Sequence, residues 1–199
     1  MKVQIDKRYP QPCSAQIAWG FLQDIEAVAA CMPGAKITER VDSAHYKGTV
    51  TAKLGPATMS FRGEVEVADV DGNSRSLRLL GKGTDTTGSS GASMNLSAHI
   101  EPADSGHCML VGGCELSVSG KAAAFGGRMM STLGDQILQQ FAENFAKQVG
   151  ALQTAEGTAA APASAAAALA TPAPALNVLA LAWTTVKGWL RGLIFKKAT

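Results

Sequence analysis

A chain of 199 residues, 46% of them hydrophobic, is long enough for one domain with extensions and apolar enough to bury a core. Its charge is unevenly placed: residues 1–156 hold 14 basic against 16 acidic side chains, whereas residues 157–199 hold Lys187, Arg191, Lys196 and Lys197 and no acid. A faintly acidic body excludes the clustered basic surface that phosphate backbones require, so no nucleic-acid partner is expected.

The opening residues MKVQIDKRYPQP lack the apolar stretch of a secretory signal. With four cysteines (Cys13, Cys31, Cys108 and Cys114), that reads as a reducing cytoplasm and free thiols. Val3 and Ile5 alternate with Gln4 and Asp6, predicting a short strand that stops near Pro10. Ser14 is placed to cap a helix through Trp19, Phe21 and Leu22. A second helix, Ile25 to Ala30, ends at Met32-Pro33-Gly34.

From Ala35 to Gly120 the pattern is β. Tyr46, Val50, Ala52 and Leu54 share one face, opposite Lys47, Thr49, Thr51 and Lys53. Met59, Phe61, Val65 and Val67 then oppose Arg62, Glu64 and Glu66. After an Asp71-Gly72-Asn73 turn, Leu77 and Leu79 face inward, followed by Met94, Leu96, Ala98 and Ile100, then Leu110, Cys114, Leu116 and Val118. Such one-sided strands describe an antiparallel sheet with one wet and one covered face. Its cover is a helix from about Phe125 to Leu152, where Met130, Leu133, Ile137, Phe141, Phe145 and Val149 recur at helical spacing. Gly48, Gly63, Gly81, Gly83, Gly112 and Gly113 mark bends or leave room for something other than a side chain.

Residues 153–175 are nearly all Ala, Pro, Ser and Thr, with Pro162, Pro172 and Pro174, and read as a mobile linker. Beyond it, Leu176, Leu179, Trp183, Val186, Leu190, Leu193 and Ile194 fall in one arc of a helical wheel, widened by Val178, Ala182 and Trp189. Asn177, Thr184, Lys187, Gly188 and Arg191 oppose them. A membrane span would place Lys187 near the bilayer centre at a cost of about 2.5–3.5 kcal/mol. An interfacial helix keeps Lys187 and Arg191 on its wet side, with Lys196 and Lys197 extending the basic patch. Docking of the stripe into a partner's groove is the third reading. The interfacial one is favoured, and its contact residues add Trp189 and Phe195 to the set. Its expected partner is a membrane surface with anionic lipids.

No catalytic constellation is evident. His45, His99 and His107 are scattered and lack metal-ligand spacing. Cys108 and Cys114 lie about 20 Å apart along an extended strand, too far to share a metal. Gly81-Lys82-Gly83-Thr84 lacks the spacing of a phosphate loop. Glu64 and Glu66 share a strand face, but the outward one.

Three segments carry a family resemblance. They are Asp24-Ile25-Glu26 through Cys31-Met32-Pro33-Gly34; Tyr46-Lys47-Gly48 with Lys53-Leu54-Gly55-Pro56 and Phe61-Arg62-Gly63; and Val118-Ser119-Gly120-Lys121-Ala122 with Phe125-Gly126 and Arg128. In this order they resemble the carbon monoxide dehydrogenase G-subunit family of the START-like (SRPBCC, helix-grip) superfamily. The resemblance spans residues 1–152. It implies an α+β helix-grip fold: a curved antiparallel sheet wrapped around a long helix, with an apolar cavity between them. The expected organisation is a domain over 1–152, a linker over 153–175 and a separate basic amphipathic helix over 176–199.

The cavity's expected lining is Tyr46, Met59, Phe61, Leu77, Leu79, Met94, Leu96, Leu116, Met130, Leu133, Ile137 and Phe141. The resemblance further implies a non-enzymatic adaptor, peripherally attached to the inner face of the plasma membrane. Its partner would be a molybdenum-containing hydroxylase of the carbon monoxide dehydrogenase type, and its cargo a quinone or lipid. No tightly bound cofactor or metal is expected, with menaquinone or ubiquinone as the carried ligand. Two alternatives stay open: a structural adaptor without ligand, and a START-like enzyme acting on an apolar substrate. For the enzyme, Tyr46, Cys31 and Asn95 are the polar candidates, with Asn95 facing outward by parity.

Overall fold

The opening strand, β1 (Lys2–Gln11), buries Val3 and Ile5 and exposes Gln4 and Asp6, as its alternation predicts. The computed structural model describes residues 1–54 and 57–160. Of these, Met1–Ala159 form one unit. β1 is an edge strand, which is why Pro10 is tolerated within it. Helix α1 (Ala15–Leu22) starts where the Ser14 side chain accepts the Ile17 N–H at 3.3 Å. Helix α2 (Ile25–Cys31) starts where Asp24 accepts the Ala27 N–H at 3.1 Å. Each cap satisfies an amide that the first turn leaves unpaired.

Six more strands follow: β2 (Ala35–Arg40), β3 (His45–Leu54), β4 (Ala57–Asp71), β5 (Ser76–Asp85), β6 (Ser90–Pro102) and β7 (Cys108–Gly120). They form one antiparallel sheet in the order β1-β7-β6-β5-β4-β3-β2. The α1–α2 pair therefore carries the chain from one edge of the sheet to the other. The β4–β5 turn is held by the Asp71 carboxylate, which accepts from Asn73 N at 2.8 Å and Ser74 Oγ at 2.6 Å. In the β5–β6 turn Asp85 accepts from Ser90 N at 2.8 Å and from Thr87 Oγ1 and Ser89 Oγ. Those bonds, the Thr87 hydroxyl first, hold its carboxyl below the usual range.

The covering helix α3 runs Gly127–Ala160. It begins two residues later than the apolar spacing predicts, because Lys121–Phe125 form a 3₁₀ turn between Gly120 (φ 70°, ψ −149°) and Gly126 (φ 79°, ψ 156°). Those are backbone regions that a residue with a Cβ rarely enters. It extends eight residues further than expected, and residues 153–160, expected as irregular linker, are helical. Alanine-rich sequence propagates a helix until a proline intervenes, and the first proline beyond Leu152 is Pro162. The rest of the expected linker, 161–175, and the expected amphipathic helix, 176–199, lie outside the described residues.

Four contacts seat α3 on the body. A Cβ at Gly134 would lie 2.5 Å from Ile5 Cδ1, so this glycine lets the helix approach β1. Lys7 Nζ meets Asp135 Oδ1 at 3.0 Å. Asn144 Nδ2 donates to Cys31 O at 3.0 Å, and Ser14 N donates to Gln153 Oε1 at 2.9 Å. Among the described residues no helix is long and apolar enough to cross a membrane.

Candidate apolar site between sheet and helix

Strand register arranges the inward face of the sheet in rows. One row crosses Ile5, Cys114, Leu96, Leu79 and Val67; the next crosses Val3, Leu116, Met94, Gly81, Val65 and Tyr46. The third has almost no side chain: Val118, Ala92, Gly83, Gly63 and Gly48. A Cβ on Gly63 would overlap Lys82 O and lie 2.7 Å from Gly83 Cα, and one on Gly48 would lie 2.8 Å from Lys36 O. Backbones this close show that the sheet bends along the third row. Beyond the bend, Met59 and Phe61 lie against the buried group of Val3, Ile5, Val118, Ala122 and Met130, as do Phe125, just before α3, and Met129 and Leu133 in its first turns. Gly81 differs, because the Met94 side chain fills its space.

The apolar residues form two buried clusters rather than one. The first joins Trp19, Leu22, Ile25, Tyr46, Leu77, Leu79, Ile100, Leu110, Phe145 and Val149. Phe145, 0% exposed, is its centre, with the Phe21 ring edge-on at 5.1 Å and Phe141 at 5.8 Å. The second joins Val3, Ile5, Val118, Ala122 and Met130. The two clusters split the expected lining. Tyr46, Leu77, Leu79 and Met130 are packed core. Met59, Phe61, Met94, Leu96, Leu116, Leu133, Ile137 and Phe141 are only half-buried. α1 and α2 meet the C-terminal half of α3 through Phe21 and Cys31, where Phe145 and Val149 are fully buried.

Two open concavities border this arrangement. The larger, about 1150 Å³, lies on the outer sheet face among Lys47, Arg62, Glu64, Lys82, Ser93 and Ser117. Its charges of both signs make it a solvated saddle, so size does not locate the apolar site. The smaller, about 460 Å³, lies between Lys53 and the residues Phe125, Arg128, Met129, Thr132, Leu133 and Gln136.

The interior also holds polar groups. Gln11 is 1% exposed, and its Oε1 has no donor among the described residues; Nε2 reaches Tyr9 O at 3.5 Å. Gln11 is not among the residues expected inside, although it shares strand parity with Val3 and Ile5. Cys13 and Cys108 are both buried, and β1–β7 pairing brings their thiols together. Burial, reinforced by Cys108, pushes the Cys13 thiol up to about 12, so it is no nucleophile at neutral pH. Of the expected polar candidates, Tyr46 packs under Arg40 at 5.6 Å, and the Cys31 thiol donates to Ala27 O at 3.5 Å. Asn95 faces solvent and accepts from Arg78 Nε at 2.9 Å. No group of three or more metal-ligating side chains comes together among the described residues.

His45, exposed at a turn, contacts Asp42 through Nδ1 at 2.9 Å, and that hydrogen bond raises its pKa. A raised folded pKa means the pair's stabilisation is full below the unfolded value and is lost as pH rises through the folded one. In a proton NMR titration His45 should deprotonate at higher pH in the native protein than in the Asp42→Asn variant, while global stability barely changes, since both side chains are about half exposed.

Residues 12–150 match the sequence profile of CoxG, the G subunit of carbon monoxide dehydrogenase. The chain belongs to the CoxG family. Among curated proteins no match was found. Among solved structures, a conserved protein of Geobacillus kaustophilus aligns with TM-score 0.67 and 19% identity, over 74% of this chain and 95% of that one. A START superfamily protein of Mycobacterium smegmatis aligns with TM-score 0.53 and 16% identity, over 75% and 98%. A Streptomyces aromatase/cyclase aligns with TM-score 0.55 and 12% identity, over 75% and 94%. At these identities the likeness is one of fold, and this CoxG family chain has the START-like helix-grip fold.

Proposed function

We propose that this CoxG family protein is a non-catalytic carrier of an apolar ligand, a quinone or a lipid. It serves a molybdenum-containing hydroxylase of the carbon monoxide dehydrogenase type, the enzyme for which its family is named. One observation supports the carrier role above others: Met59, Phe61, Leu116 and Leu133, beside the second cluster, and Phe141, beside the first, are apolar side chains left half-buried on both sheet and helix. Half-buried side chains on both sheet and helix leave surface that a ligand can cover, at about 25 cal/mol per Å² of apolar area removed from water. Menaquinone or ubiquinone is the quinone that this reading assigns. In this reading residues 176–199 rest on an anionic membrane surface, at the inner face of the plasma membrane, so that the carrier works beside the electron-transport chain.

Organic-solvent extraction of the purified full chain, followed by mass spectrometry, should release an isoprenoid quinone or a lipid. If nothing is extracted and titration with menaquinone or ubiquinone gives no uptake, the carrier role is wrong. Deleting 176–199 should abolish co-sedimentation with anionic vesicles; unchanged co-sedimentation would remove the tether from the proposal.

A further inference from the structure

The smaller cleft differs from the apolar wall in one respect. Its apolar lining is Phe125, Met129 and Leu133, which lie against the second cluster, as Met59, Phe61 and Leu116 do. Its rim is cationic. Lys53, at the end of β3, faces the polar ridge Arg128, Thr132 and Gln136, which recurs every fourth residue along α3. Lys53 and Arg128 are exposed, and neither has a carboxylate partner among the described residues. Lys2, Lys7, Arg8 and Lys47 each meet an acid. Lys53 and Arg128, like Lys36, Arg62, Lys82 and Lys121, form no ion pair among the described residues, and only Lys53 and Arg128 border this apolar lining. Two uncompensated cations over an apolar floor are complementary to a molecule with one anionic end and one apolar end. The guanidinium of Arg128 can hold a carboxylate or phosphate through two parallel N–H donors, with the Lys53 ammonium as a second charge.

We infer that this cleft is the entrance to the interior and seats the anionic head, carboxylate or phosphate, of an amphiphile whose apolar chain lies along the half-buried wall. The inference rests on the carrier role above and, of the quinone and the lipid that role allows, selects a lipid with an anionic head. The chain supplies affinity through burial; the rim sets which head is accepted and which end enters first.

The test is calorimetric titration of the full chain at pH 7.5 and low salt with decanoate, below its micelle-forming concentration, and with decanol. Wild-type protein should bind decanoate about tenfold more tightly than decanol, the factor that one good charge-assisted contact supplies. In the Lys53→Gln/Arg128→Gln variant the preference should vanish while decanol binding stays unchanged, and Lys53→Arg/Arg128→Lys should restore it. Both positions lie on the surface, so circular dichroism should show an intact fold. Equal affinity for the two ligands in wild-type protein, or an unchanged preference in the variant, overturns the charged entrance and leaves an apolar carrier standing. Absence of binding by both ligands overturns the entrance, while the carrier role is decided separately by the extraction and the quinone titration.

Discussion

Replacing Phe145 by alanine is expected to destabilise the domain by about 3–5 kcal/mol, the range for deleting a fully buried aromatic side chain. The ring is 0% exposed and lies edge-on to Phe21, with Phe141 beside it. It joins α3, α1 and the sheet in the first cluster. The cavity has little means of collapsing, because α3 is fixed nearby by the Asn144–Cys31 and Gln153–Ser14 hydrogen bonds. In a domain of this size the loss corresponds to a midpoint lowered by about 10 °C or more, read by thermal or urea unfolding. Phe141→Ala, at a half-buried position in the wall, should cost much less stability and instead weaken ligand uptake. Equal losses at the two positions would contradict the division between packed cluster and open wall.

The second large effect is expected at Gly63, where alanine adds a single methyl group. That Cβ would overlap the Lys82 carbonyl oxygen and sit 2.7 Å from Gly83 Cα. The obstacle is backbone, held in register by β4–β5 pairing, so no rotamer change relieves it. The strands must part or the bend must open. Either way the destabilisation should reach about 3 kcal/mol, at or above the upper end of the overpacking range. Opening the bend also shifts Met59 and Phe61 relative to the second cluster that they lie against. The Gly63→Ala protein should therefore show lower urea resistance and weaker ligand binding together. Gly72→Ala is the control: it has nothing within reach of a Cβ, and it should change neither.

Local chemistry was readable in the chain. Ser14 and Met32-Pro33-Gly34 bound the short helices as expected, and alternation located the inward residues of β4 to β7. The stripe from Met130 to Val149 lies on the covered face of α3, but its apolar spacing says nothing about depth. Phe145 and Val149 are fully buried where Phe21 of α1 meets α3, whereas Leu133 and Ile137 stay half-buried. That distinction depends on contacts between segments more than a hundred residues apart. The Cys13–Cys108 encounter escapes the sequence for the same reason, since β1 and β7 are neighbours only once the sheet has formed. The inward glycines were legible as irregularities, yet only register shows that Gly48, Gly63 and Gly83 share one row while Gly81 makes room for Met94. Gln11 was legible by parity but masked by its position between two prolines.

The division of the core into two clusters has a kinetic consequence. The half-buried side chains lie at the margins of the two packed groups, so they can shift without either group coming apart. On the proposed carrier role, loading and release would be fluctuations of a few such side chains, on a free-energy scale separate from that of unfolding. Such a carrier would exchange its cargo while remaining folded, and substitutions at these margins would leave the anchors of the fold in place.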